Sequence, residues 1–133
     1  MKDCIFCQVA KGLSPSWKVY KNEKVYAFLD INPNAKGHTL CIPKREVDKL
    51  FDLDETTYVE LLKFSRNVAK AIRKTIDCKR VGMTVIGLEV PHVHVHLIPL
   101  TTMEDARFIS KVTLSPEEFQ TIAQQINANL EEV

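Results

Sequence analysis

The sequence predicts an α+β fold in which an antiparallel sheet of about five strands is joined by one long helix and a C-terminal helix. Five short runs of β-branched and aromatic residues are separated by segments rich in Asn, Pro and Gly, which is typical of strands and turns. After residue 54, and again after residue 115, the apolar residues recur at helical spacing. The 133 residues suffice for one hydrophobic core, so we expect a single domain over residues 1–133.

Three strands are predicted in the first half of the chain. Residues 17–21 (WKVYK) and 25–30 (VYAFLD) flank the polar triplet NEK, a pattern that indicates a hairpin. The segment INPNAKG carries turn-forming residues and leads into a third strand over residues 38–43 (HTLCIP), which Pro43 closes.

Two helices and two more strands are predicted in the second half. From about Asp54, apolar residues at helical spacing indicate an amphipathic helix of about 20 residues; they are Tyr58, Leu61, Leu62, Val68, Ala69, Ile72 and Ile76. Residues 80–87 (RVGMTVIG) and 93–100 (VHVHLIPL) then follow as strands. In SPEE, Ser115 suits the N-cap, Pro116 the first helical position and Glu118 a capping box. The apolar stripe of this last helix is Phe119, Ile122, Ala123, Ile126 and Leu130.

Charge and hydropathy argue against nucleic acid or a membrane as a partner. The 18 basic and 17 acidic residues leave a net charge of only +1, which is not the surface of a general nucleic-acid binder. No apolar run approaches the roughly 20 residues that span a bilayer, and MKDCIFCQ does not have the pattern of a signal peptide. We therefore expect a cytoplasmic protein.

The four cysteines are better interpreted as thiols or metal ligands than as a disulfide framework, because the chain is long enough to build a core. Cys4 and Cys7 have the C-x-x-C spacing that suits two thiolates on one tetrahedral zinc ion. Such a pair alone is a weak signal, shared with thioredoxin-like motifs, but those follow a strand and this pair does not. Cys41 and Cys78 are expected to be small buried residues.

His92, His94 and His96 stand at every second position of EVPHVHVHLIPL. In a strand these three side chains share one face, while Val93, Val95 and Leu97 share the other, which we expect to pack on the long helix. Three interpretations compete for the histidine face. The imidazoles could decorate a solvated strand, hold a catalytic metal, or supply a nucleophile with neighbours that orient it and bind an anion.

The motif HVHVHLI resembles the signature of the histidine triad (HIT) superfamily of nucleotide hydrolases and transferases. CIFCQVAKG and KVYKNEKVYAFLDINPNAKGHTLCIPK resemble the Hint-like branch of that superfamily in order and spacing, so the resemblance covers roughly residues 4–100. It implies hydrolysis or transfer at the α-phosphate of a purine nucleotide, through a covalent nucleotidyl-histidine. It also implies a homodimer and no catalytic cofactor.

The resemblance assigns separate roles to the histidines. His94 is implied as the nucleophile, oriented by a backbone carbonyl near the preceding glycine, for which Gly87 is the nearest match. His96 is implied as the donor to the phosphate oxygens, and His38 as a fourth histidine beside the triad. Considered without the resemblance, His38 at a strand start would more readily be a capping or surface residue.

The resemblance also implies the nucleotide-binding residues. Asp30 matches the carboxylate that accepts hydrogen bonds from both ribose hydroxyls, although an Asp at this place also suits the turn DINP. The apolar residues that match those sandwiching the base are Ile5, Phe6, Val9 and Ile31. From the residues alone, all four would be core.

The resemblance to zinc-carrying members of the superfamily implies a set of zinc ligands. The matching positions here are Cys4, Cys7 and His92, with Glu46 at the fourth position. A carboxylate oxygen can ligate zinc, so a structural site is one interpretation. An empty pair of thiols is a second, and a site that uses His38 in place of Glu46 is a third.

The sequence departs from the Hint-like pattern immediately before the triad. TVIGLEVPH has a shorter loop, no equivalent of the family's Asn, Leu88 in place of Gln, and Glu89 where a hydroxyl is expected. One hypothesis is that Glu89 pairs with an amine on the leaving group; the alternative is that it faces solvent. The departure keeps two other functions open: cleavage of dinucleoside polyphosphates, and a nucleotide-binding regulator with vestigial catalysis.

Overall fold

A computed structural model describes residues 4–130, which form one five-stranded sheet with helices on both faces. In chain order the elements are α1 (Ile5–Ala10), β1 (Lys18–Lys21), β2 (Val25–Leu29), β3 (Thr39–Pro43), α2 (Glu55–Thr75), β4 (Arg80–Thr84), β5 (Val95–Leu100) and α3 (Pro116–Ala128). Two short 3₁₀ turns, Leu50–Asp52 and Met103–Ala106, complete the list. The strand order is β1-β2-β3-β5-β4, and every neighbouring pair is antiparallel. The predicted fold class is confirmed.

The main core lies between one face of the sheet and helices α2 and α3. Val93, Val95 and Leu97 are fully buried there against the apolar stripe of α2, as their alternation predicted. The apolar residues of α3, from Phe119 to Ile126, join the same core. Helix α1 lies on the opposite face, where Val9 packs in a smaller cluster with side chains of β2 and β3.

Both long helices begin at the capping residues that the sequence indicates. The Asp54 carboxylate accepts a hydrogen bond from the Thr57 backbone N–H at 3.1 Å. At the start of α3, Ser115 and Glu118 form the expected reciprocal capping box. Each cap satisfies backbone N–H groups that have no partner within the helix.

The segment before His38 depends on a glycine. Gly37 has a φ of 96°, and a Cβ placed on it would lie 2.7 Å from Cγ1 of Ile76 at the end of α2. A larger residue here would strain the backbone and force the Ile76 side chain to shift. Glycine is therefore favoured immediately before His38.

Apart from one-residue shifts at strand ends, three features differ from the sequence prediction. The strand predicted over residues 80–87 ends at Thr84, where its pairing with β5 stops. The predicted strand over residues 93–100 begins at Val95, because pairing with β3 starts only where Cys41 meets Val95. The six-residue helix α1 was not predicted, since it is too short to show a helical period. Within residues 4–130, no helix is both long and apolar enough to cross a membrane.

Candidate active site

A cavity of about 710 Å³ opens on the face of the sheet that carries α1. Nine of the residues predicted for catalysis or nucleotide binding line it: Ile5, Phe6, Val9, Asp30, Ile31, Gly87, Glu89, His94 and His96. His38 lies directly behind His96, and all four histidines are at most 8% exposed. The interpretation in which the histidines decorate a solvated strand is therefore wrong.

His94 is held as the tautomer that leaves Nε2 free. Its Nδ1–H donates to the backbone carbonyl of His92 at 2.7 Å, because a carbonyl can only accept. Nε2 therefore carries the lone pair, at a residue that lines the cavity. The orienting carbonyl is that of His92, two residues earlier, rather than one near Gly87, so that part of the sequence prediction is wrong.

His96 is held in the opposite tautomer through His38. The backbone N–H of Asn34 donates to Nδ1 of His38 at 3.0 Å, which leaves the ring hydrogen of neutral His38 on Nε2. That Nε2–H points at Nδ1 of His96, 3.0 Å away. His96 therefore accepts at Nδ1 and carries its own hydrogen on Nε2. The chain of three hydrogen-bonding groups makes His96 a donor toward the cavity.

Burial keeps both of these histidines neutral. Desolvation, together with a smaller effect of neighbouring positive charge, lowers the pKa of His38 to about 3 and that of His96 to about 4. A carboxylate oxygen of Asp30 lies 3.5 Å from Nε2 of His38, but it does not outweigh the burial. With His38 and His96 neutral, the site presents the N–H donor of His96 beside Nε2 of His94.

Asp30 performs the turn role that its sequence context indicates and still faces the cavity. Its Oδ1 accepts from the Asn32 backbone N–H at 2.8 Å. Its Oδ2 lies on the His38 side. Burial raises the pKa of this carboxyl, and the Asn32 hydrogen bond and the charge of Lys111 oppose that rise. The carboxylate is half-buried and retains capacity for further hydrogen-bond donors.

The apolar wall of the cavity comes mainly from α1 and the sheet. Ile5 and Ile31 are 49% and 68% exposed, so they are not core residues, although their sequence context alone suggested it. Phe6 stands edge-on to His94, with ring centroids 4.9 Å apart. Val9 is buried in the smaller cluster and lines the deeper wall. The cavity thus has an apolar side and a polar side that meet at His94.

The segment that departs from the Hint-like pattern forms one rim of the cavity. Gly87 has a φ of 72°, and Leu88 is 90% exposed. Glu89 is exposed and lines the cavity as well, so both of its predicted orientations, toward the leaving group and toward solvent, fit this rim.

The cysteine pair meets His92 beneath helix α1. Nε2 of His92 donates to the Pro43 carbonyl at 2.7 Å, which leaves the lone pair on Nδ1. That Nδ1 lies 3.2 Å from the Cys4 sulfur and 3.3 Å from the Cys7 sulfur. Two sulfurs and an imidazole lone pair converging on one point form a donor set that suits zinc.

Glu46 approaches this cluster, and His38 does not. Burial, Cys4 and Glu46 together raise the pKa of the Cys7 thiol to about 12, so the Glu46 carboxylate lies close enough to interact with it. A bound cation would reverse this effect and favour the thiolate. His38 is committed to Asn34 and His96, so the interpretation that places His38 with the cysteines is wrong.

The residues near the site that were not identified from the sequence include Asn34, Arg107, Phe108 and Lys111. Asn34 is 4% exposed; besides holding His38, its side chain donates to the Asp105 carbonyl and accepts from Lys111. Phe108 lies edge-on to His96, with centroids 4.9 Å apart. The loop over residues 101–114 has no strand or helix period and lies beyond the segment that resembles the family. Of these residues, only Asn34 stood in a recognisable local pattern, the turn-forming sequence NPN.

Comparison with known proteins places this arrangement in a family. The model of the HIT domain matches residues 11–103. An uncharacterised HIT-like protein of Borreliella burgdorferi is 34% identical over 98% of this chain and all of its own length. The adenosine 5'-monophosphoramidase of Schizosaccharomyces pombe is 32% identical, covering 96% of this chain and 98% of its own. That of Saccharomyces cerevisiae is 39% identical over 72% of this chain and 61% of its own.

Solved structures agree with the sequence comparison. A Hit-like protein from Bartonella henselae, described as involved in cell-cycle regulation, superposes with a TM-score of 0.83 at 31% identity, covering 96% of both chains. The fold and the four buried histidines define a histidine triad protein. The chain belongs to the HIT domain family.

Proposed function

We propose that the protein hydrolyses or transfers purine nucleotides at the α-phosphate, with His94 as the nucleophile and a nucleoside phosphoramidate as the substrate type. The observation that carries the proposal is the pair of opposite tautomers, with a lone pair on His94 Nε2 and a hydrogen on His96 Nε2. Attack on phosphorus needs the first, and stabilisation of the developing charge needs the second. Similarity to two yeast adenosine 5'-monophosphoramidases supports the substrate type.

The reaction proceeds in two displacements. His94 Nε2 attacks the α-phosphorus, the bond from phosphorus to the leaving amine breaks, and the amine takes a proton from solvent. The His94 Nδ1–H remains bonded to the His92 carbonyl and stabilises the positive charge that the ring acquires. Water then attacks phosphorus, breaks its bond to Nε2 and releases the 5'-nucleotide and a proton. His96 donates to a phosphoryl oxygen in both steps.

The rest of the cavity fits the nucleoside. The base would lie among Ile5, Phe6 and Ile31, which offer apolar and aromatic surface, with Val9 below them. The ribose hydroxyls would donate to Asp30, whose second oxygen is not used by the turn. These assignments follow the cavity lining and the family resemblance.

Two other functions remain as rivals. Dinucleoside polyphosphates would present a phosphate as the leaving group in place of an amine. A regulator would bind nucleotide without turnover, which the missing Asn and hydroxyl before the triad favour. A catalytic metal is disfavoured by the tautomers, because Nε2 of His38 carries a hydrogen and faces a ring rather than an open position.

The test is steady-state turnover of adenosine 5'-phosphoramidate by wild type and His94→Ala. We expect His94→Ala to lower kcat/KM by at least about a thousandfold, because no other group replaces the nucleophile. Lys63→Met, an exposed substitution on α2, serves as the control and should keep wild-type turnover. Equal turnover by wild type and His94→Ala would refute the assignment. Measuring turnover of a diadenosine polyphosphate as a second substrate distinguishes the proposed phosphoramidate activity from cleavage of dinucleoside polyphosphates.

We further propose a structural zinc ion held by Cys4, Cys7 and His92, with Glu46 as the fourth ligand. Zinc would tie α1 to the segment before β5, and the proposal requires no catalytic role for it. We also propose that residues 1–133 act as one HIT domain that forms a homodimer in the cytoplasm. The free edge strand β4 and the exposed Met83 support the dimer.

A further inference from the structure

Two cations, Arg107 and Lys111, line the cavity beyond His96, on the loop that follows the motifs shared with the family. A chain of ring contacts runs from His94 to His96 with centroids 5.0 Å apart, and from His96 to Phe108 at 4.9 Å. The ammonium of Lys111 then lies 5.0 Å from the centre of the Phe108 ring. Lys111 and Arg107 are the only basic side chains other than histidine among the described residues that line the cavity.

Lys111 is fixed in place, although its loop has no regular structure. Its Nζ donates to Oδ1 of the buried Asn34 at 2.7 Å. The Asn34 side chain also donates to the Asp105 carbonyl, and the Val112 backbone N–H donates to the Pro33 carbonyl at 2.9 Å. These bonds fasten the loop to the segment that carries His38. A positioned ammonium needs less ordering on binding than a free surface lysine does.

The charge of Lys111 is available to a ligand. Its direct contacts are a neutral amide and an aromatic ring, and it has no ion-pair partner within residues 4–130. Arg107, by contrast, lies 3.5 Å from Glu104. The field of Lys111 reaches the site, since it adds to the burial that lowers the pKa values of His38 and His96. With those two histidines neutral, Lys111 supplies positive charge that they do not.

Phe108 is held on this path by a costly backbone conformation. Its φ is 60°, in the left-handed region that a bulky residue rarely adopts. The conformation presses its ring edge-on against His96 and near His38. Phe108 thereby lies between the His96 ring and the Lys111 ammonium.

From this arrangement we infer that the site selects nucleotides whose leaving group carries an anionic group, a carboxylate or a phosphate, which Lys111 and Arg107 bind. In an in-line displacement the leaving group departs on the side of phosphorus opposite the nucleophile. The contacts that continue away from His94, through His96 and Phe108, end at Lys111, and Arg107 lines the same cavity. The inference rests on the proposed function and names its substrate class. It predicts the opposite preference to the hypothesis in which Glu89 pairs with an amine on the leaving group.

A matched series of substrates tests the inference. Four adenosine 5'-phosphoramidates of equal arm length would end in a methyl, a carboxylate, a phosphate or an ammonium group. For wild type we expect the carboxylate or phosphate arm to raise kcat/KM about tenfold over the methyl arm, through a charge-assisted contact. The difference between the two anionic arms identifies the preferred group. Raising the salt concentration should reduce the preference.

Variants assign the preference to the lysine. In Lys111→Met the ratio of anionic to methyl-arm kcat/KM should fall to within about twofold of one, whereas Lys111→Arg and the remote control Lys63→Met should retain it. Equal rates for all four arms, or a faster ammonium arm, would overturn this inference while leaving the phosphoramidate activity in place. Turnover of no arm would overturn both proposals.

Discussion

At the scale of single residues, the site depends on which ring nitrogen carries a hydrogen. His94 and His96 are only two positions apart, yet the His92 carbonyl and the His38 ring impose opposite tautomers on them. Neither tautomer depends on a charged partner. Because burial keeps His96 neutral at physiological pH, no second imidazolium would repel positive charge that develops on the His94 ring in the proposed reaction.

His38 does not line the cavity, but its removal should still weaken catalysis. His38→Ala leaves Nδ1 of His96 without its donor, so His96 can adopt the tautomer that places a lone pair toward phosphate. We expect kcat to fall about 10- to 100-fold, as for other residues that orient a ligand or catalytic ring. The ¹⁵N chemical shifts of His96 report its tautomer. A fall in kcat with an unchanged His96 tautomer would contradict the relay.

The buried histidines also predict how stability depends on pH. His38 and His96 have folded-state pKa values of about 3 and about 4, below the unfolded value of 6.5. Below pH 6.5 the unfolded chain binds more protons, so the free energy of unfolding should fall as pH drops toward 4, by at most about 1.4 kcal/mol per pH unit for each group. Urea unfolding between pH 4.5 and 7.5 measures this slope. His38→Gln should show a shallower slope, and a stability that is flat or rises on acidification would contradict the assignment.

At the scale of elements, the six-residue helix α1 contributes both to the cavity and to the cysteine–histidine cluster. One side of it presents Ile5 and Phe6 to the cavity, and its N-cap Cys4 joins Cys7 and His92. A helix this short has little stability of its own. Its position therefore depends on the contacts at its start and on Val9 in the smaller core cluster.

Zinc should stabilise the protein through these contacts. We expect added zinc to raise the Tm of wild type, because the ion binds the folded cluster more tightly than the unfolded chain. Cys7→Ser should weaken zinc binding at least about 100-fold in a chelator competition and lose the rise in Tm. The partly exposed Cys78 lies outside the cluster, so Cys78→Ser is the matched control. Zinc affinity that is equal in all three proteins would contradict the ligand set.

At the scale of the whole molecule, the two outer strands of the sheet differ. The β1 edge is partly covered by α3, where Asn127 donates to the Val19 carbonyl at 2.8 Å. The β4 edge carries the exposed Met83, and the exposed Ile86 and Leu88 follow it. An uncovered edge with apolar neighbours is where a second sheet would pair.

Sedimentation velocity measures this pairing. We expect wild type to sediment as a dimer and Met83→Lys to shift toward monomer, because a lysine on an edge strand opposes pairing. Phe51→Lys makes the same kind of change at another exposed site, 86% accessible, and should remain dimeric. A wild type that is monomeric at micromolar concentration, or a dimer unaffected by Met83→Lys, would contradict the assignment of β4.

The sequence predicts most of this fold because its periods are clear. Runs of β-branched and aromatic residues between turn-forming segments identified the strands, helical spacing identified α2, and SPEE located the start of α3. The histidine face followed from alternation, and its division of roles followed from the family resemblance. The His92 carbonyl, the Asn34 contacts and the position of Lys111 were out of reach, since they depend on how an aperiodic loop and a strand end meet in space. Tertiary contacts of this kind leave no local pattern in a sequence.

The covalent intermediate tests the central claim most directly. Wild type would be mixed with adenosine 5'-phosphoramidate, quenched within the first turnover and analysed by intact-protein and peptide mass spectrometry. We predict one added adenylyl group located on His94 and absent from His94→Ala, with Lys63→Met behaving as wild type. Turnover at the wild-type rate in His94→Ala, or an adenylyl group found on another residue, would contradict the account.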